Sequence, residues 1–296
     1  MSTALRERLR LSSGTEVSFI TAGEPSKPPV LLLHGFPTSA RMFRHLVPML
    51  AREAHVVAPD LPGFGGSDPL PEPSFPALGE AMSELLDRLA IGPRHLYLHD
   101  FGAPVGLHLA MRAPETVLGL IVQNANAHPE GLGPPWAATQ AYWAYPSPEN
   151  EQAATAHLTF EGTRDQYLAG LPADLAARIP AEVWEEDWRV MSQPGRLAMH
   201  RALVADYGRY VARFGAIADY LARWQPPSLL LWGRHDAFFA LDEVTAWLHA
   251  LPRLEAHLFD AGHFLLETHA AAVAALIVDF IGRVAAGTPG VAWPAG

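Results

Sequence analysis

The chain has 296 residues, 49% of them apolar and 18% charged, which suits one large domain or one core domain carrying an insertion. A formal net charge of −10 argues against a nucleic-acid surface, which needs concentrated Lys and Arg. The absence of cysteine excludes disulfides, thiolate nucleophiles and Cys-ligated metals.

The first ten residues are charged and carry no apolar stretch of signal-peptide length. No window is read as holding the roughly 18 apolar residues of a membrane span. The expectation is a soluble cytoplasmic protein with neither membrane nor nucleic-acid partner, either monomer or homodimer. Segments 9–12 and 17–22, around Ser13-Gly14, predict an antiparallel edge hairpin. Short apolar runs follow at 30–33, 55–58, 95–98, 117–122, 228–232 and 254–259. They are bounded by Gly, Pro and Asp, the pattern of strands buried on both faces. Helical spacing fills 41–52, 76–90, 102–112, 241–251 and 268–284. Strands alternating with helices predict an α/β fold with a mostly parallel sheet covered on both sides.

The stretch 126–224 breaks the alternation. It is rich in Trp, Tyr, Ala and Pro and reads as a helical insertion over the strand ends. The expected organisation is a core in two parts, 1–125 and 225–285, separated by a helical cap at 126–224. A poorly ordered tail is expected at 286–296.

Ligands in such sheets bind beyond the carboxyl ends of the strands, where the polar residues here cluster. After the run 95–98 comes His99-Asp100-Phe101-Gly102-Ala103-Pro104-Val105-Gly106. Small residues at 102, 103 and 106 allow a sharp turn into a closely packed helix, the geometry of a nucleophile elbow with Asp in place of Ser. The helix dipole there favours an ionised carboxylate. Taken alone, Asp100 reads equally as a helix cap. The turn His34-Gly35-Phe36-Pro37 can aim the Phe36 N–H at the same point, forming an oxyanion hole with the Phe101 N–H. Asp236 and His263 each follow an apolar strand, giving the chain order nucleophile, acid, base.

These segments resemble the α/β-hydrolase family, and within it the epoxide hydrolase and haloalkane dehalogenase branch. The resemblance runs from about residue 9 to 283. It rests on Leu-Leu-Leu-His-Gly-Phe-Pro (31–37), Val-Ala-Pro-Asp-Leu-Pro-Gly-Phe-Gly-Gly-Ser (57–67), His-Asp-Phe-Gly-Ala-Pro-Val-Gly (99–106), Leu-Trp-Gly-Arg-His-Asp (231–236) and Ala-Gly-His-Phe (261–264). It implies an eight-stranded, mostly parallel sheet with a helical cap. It also implies that Asp60 and Gly63 to Ser67 form a structural turn.

A carboxylate nucleophile restricts the chemistry. Attack on a carboxylic ester gives an anhydride, whereas attack on a saturated carbon gives an ordinary alkyl ester. Displacement at an sp³ carbon is therefore expected. His263, oriented by Asp236, then activates water to cleave the ester, and no cofactor or metal is required. The leaving group divides the branch. Epoxide opening needs a proton donor, and the family uses cap tyrosines. Tyr207 resembles the late one, although Gly208 stands where Arg usually follows directly, and Tyr142 and Tyr167 are candidates for the second. Halide departure needs N–H donors, typically from a Trp after the nucleophile and an Asn after His-Gly. Phe101 and Phe36 hold those positions, and neither has a donating side chain. The leading expectation is hydrolysis of a small apolar epoxide. The alternatives are dehalogenation with unusual donors (Trp143, Asn124 or Asn126) and a non-catalytic receptor. Trp136, Trp143, Trp184 and Trp188 are expected to line or build the pocket, His99 to pack beneath the sheet end, and His157 to be structural.

Overall fold

The computed structural model describes residues 4–287, so the expected tail lies from 288 onward outside the described residues. Eight strands form one sheet: β1 (Leu5–Arg10), β2 (Glu16–Ala22), β3 (Pro29–Leu33), β4 (His55–Pro59), β5 (Arg94–His99), β6 (Val117–Gln123), β7 (Ser228–Gly233) and β8 (Glu255–Phe259). Their order is β1-β2-β4-β3-β5-β6-β7-β8. β2 pairs antiparallel with β1 and β4, and the rest of the sheet is parallel.

Strand periodicity explains why the central runs are apolar throughout. Leu31, Leu33, Leu96, Leu98, Leu120, Val122, Leu230 and Trp232 enter one core layer. Val30, Leu32, Tyr97, Ile121, Leu229 and Leu231, their neighbours in sequence, enter the other. Successive side chains point to opposite faces, so a strand covered on both sides must be apolar at every position. Each Leu buried in this way contributes about 2 kcal/mol relative to exposure.

Helices α1 (Val47–Leu50), α2 (Phe75–Arg88) and α3 (Gly102–Arg112) lie in the first half of the chain. Ser74 caps α2 by accepting the Ala77 N–H, and α2 buries Leu78, Met82 and Leu85 in the first layer. Between β6 and β7 the chain is helical without strands: α4 (Ala137–Ala144), α5 (Pro148–Ala154), α6 (Phe160–Leu168), α7 (Ala173–Ala176), α8 (Glu182–Met191), α9 (Arg196–Val211) and α10 (Phe214–Trp224). The last helices are α11 (Asp242–Ala250) and α12 (Leu266–Ala285).

Three expectations change. The first strand runs Leu5–Arg10 rather than over 9–12, because backbone pairing to β2, not burial, makes it a strand; almost all of its residues are exposed. Segment 41–52 is a 3-10 turn at Ala40–Phe43 followed by the short α1, whose first turn holds Pro48. Finally, α12 does have the length and apolarity of a membrane span. In this fold its Val273, Ala274, Ile277, Phe280 and Ile281 pack in the second core layer.

Candidate active site

The site is built at the carboxyl ends of β3, β5, β6 and β7. β5 ends at His99 and α3 begins at Gly102, leaving two residues for the bend. Asp100 takes φ +49, a left-handed conformation that costs a non-glycine residue of the order of 1 kcal/mol. The surroundings hold it there. A Cβ on Gly102 would overlap the Leu33 and His34 carbonyl groups, and one on Gly106 would overlap Leu98. Only glycine at both positions lets α3 approach β3 and β5 closely enough.

The Asp100 side chain is buried, and its Oδ1 accepts the Phe36 N–H at 2.5 Å. The Phe101 N–H also bonds the carboxylate. These are the two donors expected of the oxyanion hole. Gly35 makes the approach possible, since a Cβ there would overlap the Asp100 carboxylate. The His34 ring fixes the turn from below. Its Nε2 accepts the Leu61 N–H at 2.9 Å, so the proton sits on Nδ1 and donates to the Gly35 carbonyl at 2.9 Å. Burial holds His34 neutral, with its pKa lowered to about 4. Asp60 closes the neighbouring turn by accepting the Ala40 and Gly66 N–H groups and the Arg6 guanidinium.

His263 and Asp236 meet across the ends of β7 and β8. His263 Nδ1 lies 2.8 Å from Asp236 Oδ2, and both side chains are buried. Asp236 Oδ1 accepts the Phe238 and Phe239 N–H groups at 2.7 and 3.1 Å. Its Oδ2 also accepts the Asn124 Nδ2–H at 2.8 Å, and Asn124 Oδ1 accepts the Gly233 N–H. Asn124 therefore orients the acid, and its amide is spent. His263 Nε2 has no protein partner and is the nitrogen left for a substrate or water.

Burial pushes the His263 pKa down, but the charge and hydrogen bond of Asp236 and the charge of Asp100 outweigh it, and the net shift is upward. Burial pushes the Asp100 carboxyl up, and His263 with the two N–H donors only partly offsets this. The expected triad is thus brought together in space and coupled electrically. The His99 ring lies tilted against the His263 ring, centroids 4.6 Å apart, and bonds the Gln123 carbonyl. Burial first, then proximity to His263, keeps it neutral.

A cavity of about 180 Å³ opens above Asp100. Phe36, Phe101, Trp136, Val204, Phe238 and Phe239 supply its apolar wall. Its polar side chains are Asp100, Tyr207, Thr139, His157 and Gln166. Tyr207 on α9 is 1% exposed and stacks on Trp136 and Trp143, with ring centroids 4.9 and 5.8 Å away. Its hydroxyl forms no well-aligned hydrogen bond. Burial raises its pKa well above 10, with Tyr210, Asp100 and Glu243 adding to the rise and the Asn126 side chain opposing it. It is a neutral hydroxyl on a residue that lines the cavity with Asp100.

The other expected donors are elsewhere. Tyr167 does not line the cavity; its hydroxyl donates to buried Asp187 and its ring stacks on Phe264 at 4.0 Å. Tyr142 is half-buried on α4 and also lies outside the lining. Of the four tryptophans, Trp136 lines the cavity and Trp143 backs Tyr207, while Trp184 and Trp188 pack away from it. His157, expected to be structural, faces the cavity and meets Phe36 edge-on at 5.4 Å. Gln166 and Thr139 carried no signal in the sequence. Gln166 lies four residues after Gly162, on the helix face packed against the His157 backbone, and helical spacing alone cannot tell a cavity-facing amide from a solvated one.

Comparison with known proteins fits this geometry. A family model described as the alpha/beta hydrolase fold matches residues 28–270. An uncharacterized hydrolase of Saccharomyces cerevisiae is 34% identical over 92% of this chain and 95% of its own. A fluoroacetate dehalogenase of Burkholderia sp is 28% identical over 88% of this chain and 90% of its own. Epoxide hydrolase 4 of Mus musculus is 29% identical over 79% of this chain and 67% of its own. Among solved structures, the epoxide hydrolase CorEH has a TM-score of 0.77 at 22% identity, covering 95% of this chain and all (100%) of that one, a likeness of fold alone.

Proposed function

Because the chain belongs to the α/β-hydrolase fold family, we propose that it is a hydrolase that opens epoxides through a covalent ester on Asp100. The observation that supports this reading is a carboxylate at the elbow and a buried, neutral tyrosine lining one cavity. The helical insertion acts as the cap that supplies this hydroxyl.

In the first step an Asp100 oxygen attacks an epoxide carbon and the carbon–oxygen bond breaks. The alkoxide takes the Tyr207 proton, leaving an alkyl ester and a tyrosinate. In the second step His263 Nε2 removes a proton from water as the oxygen adds to the ester carbonyl. The oxyanion forms on the oxygen already held by the Phe36 and Phe101 N–H groups. Collapse expels the diol oxygen, which takes the proton back from His263. The regenerated carboxylic acid loses its proton, and Tyr207 regains one.

Dehalogenation is the weaker reading. Trp136 and Trp143 donate their ring N–H to the Phe238 and Val204 carbonyls, at 2.8 and 2.9 Å. Asn124 is committed to Asp236, and Asn126 does not line the cavity. No Lys or Arg lines it either, so a haloacid carboxylate beside Asp100 would lack a counter-charge. Single turnover in heavy-oxygen water with a panel of epoxides and haloalkanes tests the reading. Label is expected in the peptide containing Asp100, with diol as product. Halide release without diol formation, or product without label at Asp100, would overturn it.

A further inference from the structure

Ring contacts order the cavity. His157 meets Phe36 at 5.4 Å, Phe36 meets Phe101 at 5.9 Å, and Phe101 meets Tyr207 at 5.7 Å. Asp100 bonds the N–H groups of the two phenylalanines in the middle of that line. Two phenylalanine rings thus separate Tyr207 from His157 in the cavity wall, and Gln166, on the helix that begins just after His157, lines the same cavity.

His157 and Gln166 are polar where most of the wall is apolar. Gln166 is 8% exposed and lines the cavity, with its amide open to that space. A ligand that displaces water from such an amide without replacing its hydrogen bond loses affinity. His157 is held neutral, since burial lowers its pKa to about 4, and a backbone bond at Ala154 takes up part of its ring capacity. An amide with a neutral imidazole offers hydrogen bonds and no charge. The cavity's small volume leaves room for only a short substituent beyond the reacting carbons.

We propose that Gln166 and His157 form a subsite for an uncharged oxygen on the substrate, so that the preferred epoxides are short ones bearing an ether, hydroxyl or carbonyl oxygen next to the oxirane carbons. This rests on the epoxide-opening reading above and narrows it. A purely hydrocarbon epoxide leaves Gln166 unpaired in the closed complex; the oxygen-bearing analogue pairs it.

The experiment uses a matched pair, methyl glycidyl ether and 1,2-epoxypentane, which differ by oxygen for methylene. Wild type is expected to favour the ether about tenfold in kcat/KM, the worth of one such hydrogen bond. Gln166→Leu, which keeps the volume, is expected to erase that preference while turnover of epoxypentane holds or rises. His157→Phe is expected to weaken the preference in the same direction. Calorimetric binding of the two product diols, 3-methoxy-1,2-propanediol and 1,2-pentanediol, gives a readout that needs no turnover. Turnover of both epoxides at equal efficiency, or a preference that survives in Gln166→Leu, overturns the subsite and leaves epoxide opening standing. No turnover of either epoxide, with diol discrimination that still depends on Gln166, overturns the reaction and keeps the subsite.

Discussion

The strand ends and the helical insertion treat polar groups in opposite ways. At the strand ends nearly every polar atom has a fixed partner: Asp100 has two N–H donors, Asp236 has two backbone donors plus Asn124 and His263, and His34 has both ring nitrogens bonded. In the insertion, the polar residues that line the cavity, among them Tyr207 and Gln166, are held by fewer well-aligned bonds. Groups that must hold one geometry through bond making and breaking are tied to rigid elements. Groups that meet the substrate are left free for it. Under the proposed reaction, the contrast gives the chemistry to the sheet and selectivity, with leaving-group protonation, to the helices.

Substitutions in the two regions should therefore fail differently. The largest effect is expected at the strand ends. Asp100→Ala should lower epoxide turnover by at least about ten-thousandfold. His263→Gln should let the first step proceed and stop the second, so that intact-mass spectrometry finds one alkyl group per chain. If that variant accumulates no adduct from a substrate the wild type consumes, the covalent route is wrong. In the insertion, Tyr207→Phe should slow turnover by about a hundredfold to ten-thousandfold, the worth of a positioned acid. Its melting temperature should hardly move, because the hydroxyl has no aligned partner to lose. A large loss of stability with retained activity would place Tyr207 among the structural residues.

A smaller effect is expected from pH. His263 must be neutral to take a proton from water, and its pKa in the free protein lies above 6.5 because Asp236 and Asp100 outweigh burial. The rate of ester hydrolysis should fall about tenfold per unit as pH drops below the His263 pKa. Alkylation removes the Asp100 charge, so this acid limb should lie lower in kcat than the free-enzyme titration seen by NMR. An acid limb at the same or higher pH would break the coupling. The smallest change in turnover, under about twofold, is expected from Tyr167→Phe. That change leaves buried Asp187, raised to about 6 by burial, without one of its donors, Thr38 remaining. The cost should appear instead as a melting temperature lower by several degrees.

The sheet and its site were legible in the sequence for a physical reason. Two-sided burial forces continuous apolar runs, and a bend with no room for a Cβ forces glycine at 35, 102 and 106, so strand ends and elbow leave marks one residue at a time. β1 left none, since pairing rather than burial defines it. In the insertion Tyr167 and Tyr207 look alike in sequence, and only packing commits one to Asp187 and puts the other in the lining of the Asp100 cavity. The helical character of α12 was legible, while the expectation that no window has the apolarity of a membrane span fails there, because Val273 and Ile277 are as apolar against a sheet as they would be in lipid.

The contact between Gly35 and Asp100 has a consequence for how such a protein diversifies. With no space for even a methyl group between turn and acid, Gly35 cannot gain a side chain while Asp100 stands. Positions 139, 157 and 166 carry no such restriction, so descendants of this chain can acquire new substrates by exchanging those side chains while inheriting the reaction unchanged.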